Sequence, residues 1–324
     1  MKSLSTTIAA TVFGLGTALA SSAFAQQSDT IRLVVGFPPG GVVDVVARTF
    51  AEHARQATDH TLVVENRPGA SGKLAIDTVL NAPADGLTVL IAPASMMELT
   101  PMVIPSANYD PIEDMVALGG LAEYGFGVAA GPSSGTTTID EYRDWAAANP
   151  GMSNFATPGQ GTPQHFLGAQ LQNLLGVELM HVPYRGGAAA INDVLGGQVP
   201  LFITTEQLLI PYEGQGKLHT LFITSPQRNP LMPNVPTSKE VGLPQLETMD
   251  WFGVFLKADT PAEKTQALTS QVRQVLASQP YIKAINKLGY AVPEKQADDF
   301  SELMRTEIQA WEDRLKLSGF NPNE

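Results

Sequence analysis

Ile31-Arg-Leu-Val-Val-Gly-Phe-Pro-Pro-Gly-Gly-Val-Val-Asp44 decides the fold. Its opening residues are apolar and β-branched, the composition of a short buried strand. Pro38-Pro-Gly-Gly41 then breaks the strand. Apolar residues next recur at helical spacing through Val45, Val46, Phe50 and Ala54, with Asp44 near the helix start. The same succession follows once more, and then a further strand. A strand at 61–65 runs into the turn Asn66–Gly72 and a helix over 73–82, and a third strand covers Leu87–Ala92. Strands alternating with helices of this length predict an α/β domain with a mostly parallel sheet.

A second series begins near Gly125–Ala130, which reads as a strand. Thr138-Ile-Asp-Glu141 has the spacing of a capping box ahead of a helix. Ser153–Thr157 is a strand, and Pro158-Gly-Gln-Gly161 is a loop. Thr162 is an N-cap with Pro163 at the first helical position, and Gly176 ends that helix. Leu179–Val182 leads through Tyr184-Arg-Gly-Gly187 to a helix over 188–195, and two more strands lie at 201–204 and 218–224. A proline-rich stretch over 226–244 reads as an ordered connector. Beyond it, Trp251–Leu256 is a strand and two helices close the chain. Phe300, Leu303, Met304, Ile308, Trp311 and Leu315 form one apolar stripe on the last of them.

The start of the chain reads as an export signal. Lys2 is followed by an apolar run from Ile8 to Ala20 and by Ala23-Phe-Ala25, a small-x-small site with cleavage expected after Ala25. The run is short for a bilayer span. The 324 residues include no cysteine, which excludes thiol nucleophiles, thiolate metal sites, disulfides and a lipidated cysteine after the cleavage site. A formal charge of −12 disfavours nucleic acid and anionic membranes as partners. None of the five histidines (His53, His60, His165, His181 and His219) sits in a metal-binding spacing. There is no nucleophile elbow and no Walker A run. Neither a cofactor nor a metal is expected. Ser95 and His165 are the sole pair that a hydrolase reading could use.

What remains is glycine chemistry. Three loops each follow a strand and open a helix: Phe37–Val42, with Pro39, Gly40 and Gly41; Thr157–Thr162, with Gly159 and Gly161; and Tyr184–Gly187, with Arg185. A helix N-terminus exposes unpaired N–H groups and a partial positive charge. Glycine lets an anion approach that backbone. Ordinary strand–helix turns use the same residues, so the argument rests on there being three such loops.

In this order, several segments resemble the Bug-type solute receptors of tripartite tricarboxylate transporters. They are Ile31–Asp44, Val64–Ala70, Pro83–Gly86, Gln164-His165, His181–Gly186, Leu195–Val199, Asn234–Thr237 and Trp251–Gly253. The resemblance implies a two-lobed Venus-flytrap α/β fold. Residues 26–127 and 252–324 would form one lobe, and residues 128–251 the other. It implies a periplasmic monomer that captures a small organic carboxylate and delivers it to membrane permease subunits. By the same resemblance, the loops at 37–42 and 157–162 clasp a ligand carboxylate. Ala94, Ser95, Met96, His165, Tyr184, Arg185, Thr204 and Thr205 should line the cleft, and Asp44 should cap its helix and brace the first loop. The chain departs from the family in having Val42-Val43 for Ser-Thr, and Thr204 and Pro200 for Asp. The departures shift the first-loop contacts from hydroxyls to backbone and argue against an amine-bearing ligand. Glu206 reads as a surface acid. Met96, Met97, Phe166, Met249 and Trp251 would add apolar walls, favouring a carboxylate with an aromatic or aliphatic body. The alternatives are a co-sensor presenting ligand to a membrane histidine kinase, and an exported hydrolase of small acids.

Overall fold

The computed structural model describes residues 30–318, apart from 56, 57, 59, 295 and 297. The expected export signal and its cleavage site lie outside the described residues. The first series forms β1 (Thr30–Val35), α1 (Val42–Ala54), β2 (Thr61–Asn66), α2 (Lys73–Leu80), β3 (Thr88–Pro93), α3 (Ala94–Glu98) and α4 (Thr100–Val103). β1 lies between β2 and β3, parallel to both. It is buried on both faces, Leu33 and Val35 in one core cluster and Val34 in another. Each such side chain contributes about 1.5–3 kcal/mol on leaving water.

The next strand is longer than expected. β4 (Met115–Ala130) runs unbroken for 16 residues, where sequence pattern marks only its end. Its first part pairs antiparallel with β9 (Met249–Lys257), through Gly125↔Met249. From Phe126 onward it pairs instead with β7 (Leu201–Thr205) and β8 (His219–Ile223). β4 therefore carries one sheet into the other; with β5 (Asn154–Thr157) and β6 (Met180–Pro183) the joined order is β2-β1-β3-β9-β4-β7-β5-β6. Two register shifts near Gly119 and Gly120 bend it. A Cβ at Gly120 would stand 2.7 Å from the Phe300 ring, so the last helix packs directly on strand backbone there.

The second series is β5 (Asn154–Thr157), α6 (Pro163–Leu175), β6 (Met180–Pro183), α7 (Gly187–Leu195), β7 and α8 (Glu206–Glu213), preceded by α5 (Ile139–Ala148). The Thr138 capping box forms as expected. Thr162 starts α6 by its backbone alone, because its hydroxyl donates back to the Gly159 carbonyl at 2.8 Å. Gly176 ends α6 in the left-handed conformation, φ 65°. Three helices, not two, close the chain: α9 (Ala262–Leu276), α10 (Gln279–Lys287) and α11 (Asp298–Ser318). Ser278 starts α10, its side chain accepting from Tyr281 N, with Pro280 in the first turn. A Ser-x-Pro signal thus splits a run that reads as one helix. No helix among the described residues is long and apolar enough to cross a membrane.

Candidate functional site

Between the two halves of the sheet lies a cleft of about 520 Å³. Four helices, α1, α6, α7 and α8, present their first residues to it. No side chain caps any of the four. A helix's first-turn amides lack partners one turn back and can act as a cradle of donors to a ligand, except that Pro163 has no N–H and His165 N and Ala189 N already donate to the Thr162 and Gly186 carbonyls at 2.9 and 3.2 Å. The first loop is built for this. Gly40 takes φ 79°, a conformation that favours glycine, and donates its N–H to Asp44 Oδ2 at 2.9 Å. Asp44 Oδ1 accepts from Asn66 Nδ2 at 2.9 Å, and Arg48 Nε reaches Oδ2 at 2.9 Å. Asn66 also donates to the Phe37 carbonyl at 3.1 Å. Burial pushes the Asp44 carboxyl up, but the bonds from Arg48, Gly40 and Asn66 outweigh it and hold it below its usual range. Asp44 braces the loop, as expected, but the N-cap position belongs to Gly41.

Of the residues expected to line the cleft, the geometry brings together Phe37, Pro39, Gly40, Gly41, Val42, Ser95, Thr162, Arg185, Thr204 and Thr205. Arg185 is the one lysine or arginine among those lining it. The others stand behind. Met96 is buried against Gly72, where a Cβ would stand 2.4 Å from its sulfur, and Met97 is likewise core. Ala94 is buried in the same cluster. Tyr184 turns away and donates its hydroxyl to Asp193 at 2.7 Å. Thr157 hydrogen-bonds His181 Nε2 at 2.7 Å and donates to the Gly159 carbonyl at 3.0 Å. Gly161 N donates to His165 Nδ1 at 3.3 Å. His165 and His181 stack with ring centroids 3.9 Å apart. Burial, with the charge of its neighbour, brings His181 down to about 4. Burial lowers His165 as well. This pair supports the second loop from beneath. His165 does not line the cleft, so it makes no nucleophile–base pair there with Ser95, and the hydrolase reading fails.

The expected apolar walls are also elsewhere. Trp251 packs on Phe300 at 4.6 Å between ring centroids, and its indole donates to Glu307 at 2.8 Å. Phe166 and Met249 face a neighbouring chamber. The floor of the cleft is instead Tyr124 stacked on Phe252 at 4.4 Å, with Tyr290 edge-on to both. Leu208 and Leu288 complete the apolar wall. Sequence pattern missed these residues because Tyr124 and Phe252 sit in strands buried along almost their whole length, where nearly every apolar position looks like core.

Asp250 lies at the edge of this floor, 7% exposed, and accepts from Trp251 N at 2.7 Å. Burial, opposed by that bond and reinforced by the charge of Glu307, pushes its carboxyl up to about 7. The folded protein therefore holds a proton there that the unfolded chain releases above pH 3.8. The resulting stability is complete below that pH, shrinks as pH rises, and is gone above about 7. Asp250→Asn is expected to flatten urea-measured stability between pH 5 and 7 by roughly 1 kcal/mol per pH unit relative to wild type. Parallel profiles would show that Asp250 is ionised throughout.

A cleft walled by helix N-termini, between two α/β halves joined through a shared strand, defines a two-lobed solute-binding protein. Solved structures with the same fold include the periplasmic binding protein BugD, at TM-score 0.83 and 28% identity over 90% of this chain and 97% of that one. A Rhodopseudomonas palustris protein solved with adipate gives TM-score 0.84 and 28% identity over 90% and 97%. MatC from R. palustris, solved with malate, gives 0.80 and 27% over 88% and 98%. Among curated sequences, a UPF0065 protein from the tcbD–tcbE intergenic region of a Pseudomonas species is 31% identical over 94% of this chain and 92% of its own length. BugT of Bordetella pertussis is 28% identical over 95% and 96%. The family model for the tripartite tricarboxylate transporter family receptor, TctC, matches residues 46–319. The chain belongs to that family and is a Bug-type solute-binding receptor, a class of binding proteins rather than enzymes.

Proposed function

We propose that the chain captures a small carboxylate with an apolar body, one carboxylate end held by the backbone amides at the starts of α1 and α7. The observation that carries this is the convergence of four uncapped helix N-termini on a cleft whose floor is aromatic. Helix N-termini bind anions through N–H groups and dipole together. Val42 and Val43 bring no hydroxyls, so the amides carry the contact, and Phe37, Phe252, Leu208 and Leu288 favour an aliphatic or aromatic body over a hydroxylated one. Two of the similar structures hold dicarboxylates, adipate and malate, which agrees with this reading. Adipate fits the apolar floor better than malate does.

We infer the remainder of the role by analogy with the family. The receptor acts in the periplasm as a monomer after cleavage behind Ala25 and passes its ligand to the permease subunits of a tripartite tricarboxylate-type transporter. The lobes comprise residues 26–127 with 252–324, and 128–251. This division is supported by the switch of β4 partners at Phe126. Ligand bridging the lobes shifts them from open to closed.

A thermal-shift screen of protein stripped by unfolding and refolding tests the ligand class. Aliphatic and aromatic carboxylates are expected to raise the melting temperature, adipate more than malate, and their amides not at all. At a hundred times its dissociation constant a ligand adds about 2.7 kcal/mol. A response to amides equal to that of the acids would remove the carboxylate from the recognition.

A further inference from the structure

Beside the cleft lies a second chamber of about 240 Å³, separated from it by Pro163 and Asp250, which line both. It sits between α6 on one side and α11 on the other, roofed by the segment at 245–250. Glu98, Asp250 and Glu307 face it with Gln170, Asn173, Gln245 and Thr248, and Glu247 also lines it; among the described side chains no lysine or arginine does. Glu98 is 3% exposed, and its Oε1 has no hydrogen-bond partner. A buried carboxylate oxygen without a donor is costly and points to a donor supplied from outside. Burial, then the Glu307 carboxyl beside it, pushes Glu98 well above the usual range, the response of an acid lacking a counter-charge. Trp311, whose side chain also hydrogen-bonds the Glu98 carboxyl and so opposes that rise, lines the chamber with Phe166, their ring centroids 5.7 Å apart.

We propose that this chamber is a binding site for a small organic ammonium ion. Its N–H groups would be shared among Glu98, Glu307 and Asp250, and its alkyl body would lie against Trp311, Phe166 and Leu167. An ammonium offers three donors and no acceptor, which matches a wall of carboxyl oxygens. A cation over an aromatic face gains further attraction. The described residues include no group of acidic or histidine side chains placed to hold a metal ion, so the acids suit a polyatomic cation. The proposal does not depend on the carboxylate reading of the larger cleft, because Glu98, Glu307, Phe166 and Trp311 line this chamber and not that one.

Calorimetric titration with n-butylammonium chloride tests it, with n-butanol as the uncharged analogue of the same length. The cation is expected to bind saturably and butanol not to. Glu307→Gln keeps an acceptor for the Trp251 indole while removing charge. It is expected to weaken butylammonium roughly tenfold or more, with adipate affinity unchanged. Phe166→Leu removes an aromatic face without removing a hydrogen-bonding group and is expected to cost about threefold. Equal binding of butanol, absence of saturable heat with millimolar butylammonium, or unchanged affinity in Glu307→Gln would each overturn the proposal. So would loss of butylammonium binding in Gly41→Asp, because that result would place the amine in the larger cleft.

Discussion

Gly41→Asp is expected to lower carboxylate affinity by at least about a hundredfold, or 2.7 kcal/mol, without lowering the melting temperature. Gly41 is the N-cap of α1, at φ −76° and ψ 168°, where any residue fits. An added Cβ would lie 3.2 Å from the Pro38 carbonyl, a contact relieved by a shift of a few tenths of an ångström. Aspartate is among the best N-cap residues. Its side chain would accept from the first-turn amides, the same donors that the ligand carboxylate is proposed to use. The substitution therefore satisfies the cradle internally and sets a negative charge where the ligand's must go. Both effects oppose binding, while capping contributes only about a few tenths of a kcal/mol to the helix relative to a glycine start. Gly41→Ala supplies the control, adding the Cβ without the acceptor, and should retain most affinity. Wild-type affinity in the aspartate variant, measured by calorimetry with adipate, would remove the first loop from the site.

The second large effect concerns stability. Glu206→Ala is expected to destabilise the protein by about 3 kcal/mol. Glu206 opens α8, yet it is 2% exposed. One carboxylate oxygen accepts from Gly125 N at 3.0 Å and from the Ser225 hydroxyl, and the other accepts from Asn229 Nδ2 at 2.9 Å. These three donors come from β4 at its change of partner and from the segment after β8. A Cβ at Gly125 would lie 2.4 Å from the carboxylate, so glycine is what admits it. Burial raises the Glu206 carboxyl against the bonds from Ser225, Asn229 and Gly125. Alanine leaves Gly125 N and the Ser225 hydroxyl without this acceptor, and leaves Asn229 Nδ2 only the Gly289 carbonyl at 3.5 Å. Glu206→Gln should cost less, about 1 kcal/mol, because one oxygen still accepts and only the amide facing Asn229 Nδ2 conflicts. Urea denaturation of both variants checks the ranking. A glutamine variant as unstable as the alanine variant would mean that charge, and not hydrogen bonding, holds the node.

Glu206 also shows where reading by sequence stops. An acid at the first turn of a short helix has the composition of a solvated residue, and nothing nearby in sequence names its partners. They lie 81, 19 and 23 residues away. Met96 fails in the opposite sense: it follows a cleft residue, Ser95, but points into the core because successive side chains in α3 face different directions. Tyr124, Phe252 and Asp250 were hidden in a third way. They sit in strands buried on both faces, where apolar runs carry no alternation to show which residue meets a cavity.

Local physics was enough for the rest. Prolines, glycines and apolar spacing mark the strand–turn–helix units, because their φ limits and periodicities act within a few residues. The glycine loops at 37–42 and 184–187 announce helix starts open to an anion for the same reason. Tertiary structure alone decided that β4 runs through both sheets and that four helix starts meet on one cleft. It alone placed the buried acids Glu206, Asp250 and Glu98, because each environment is assembled from chain segments that only packing brings together.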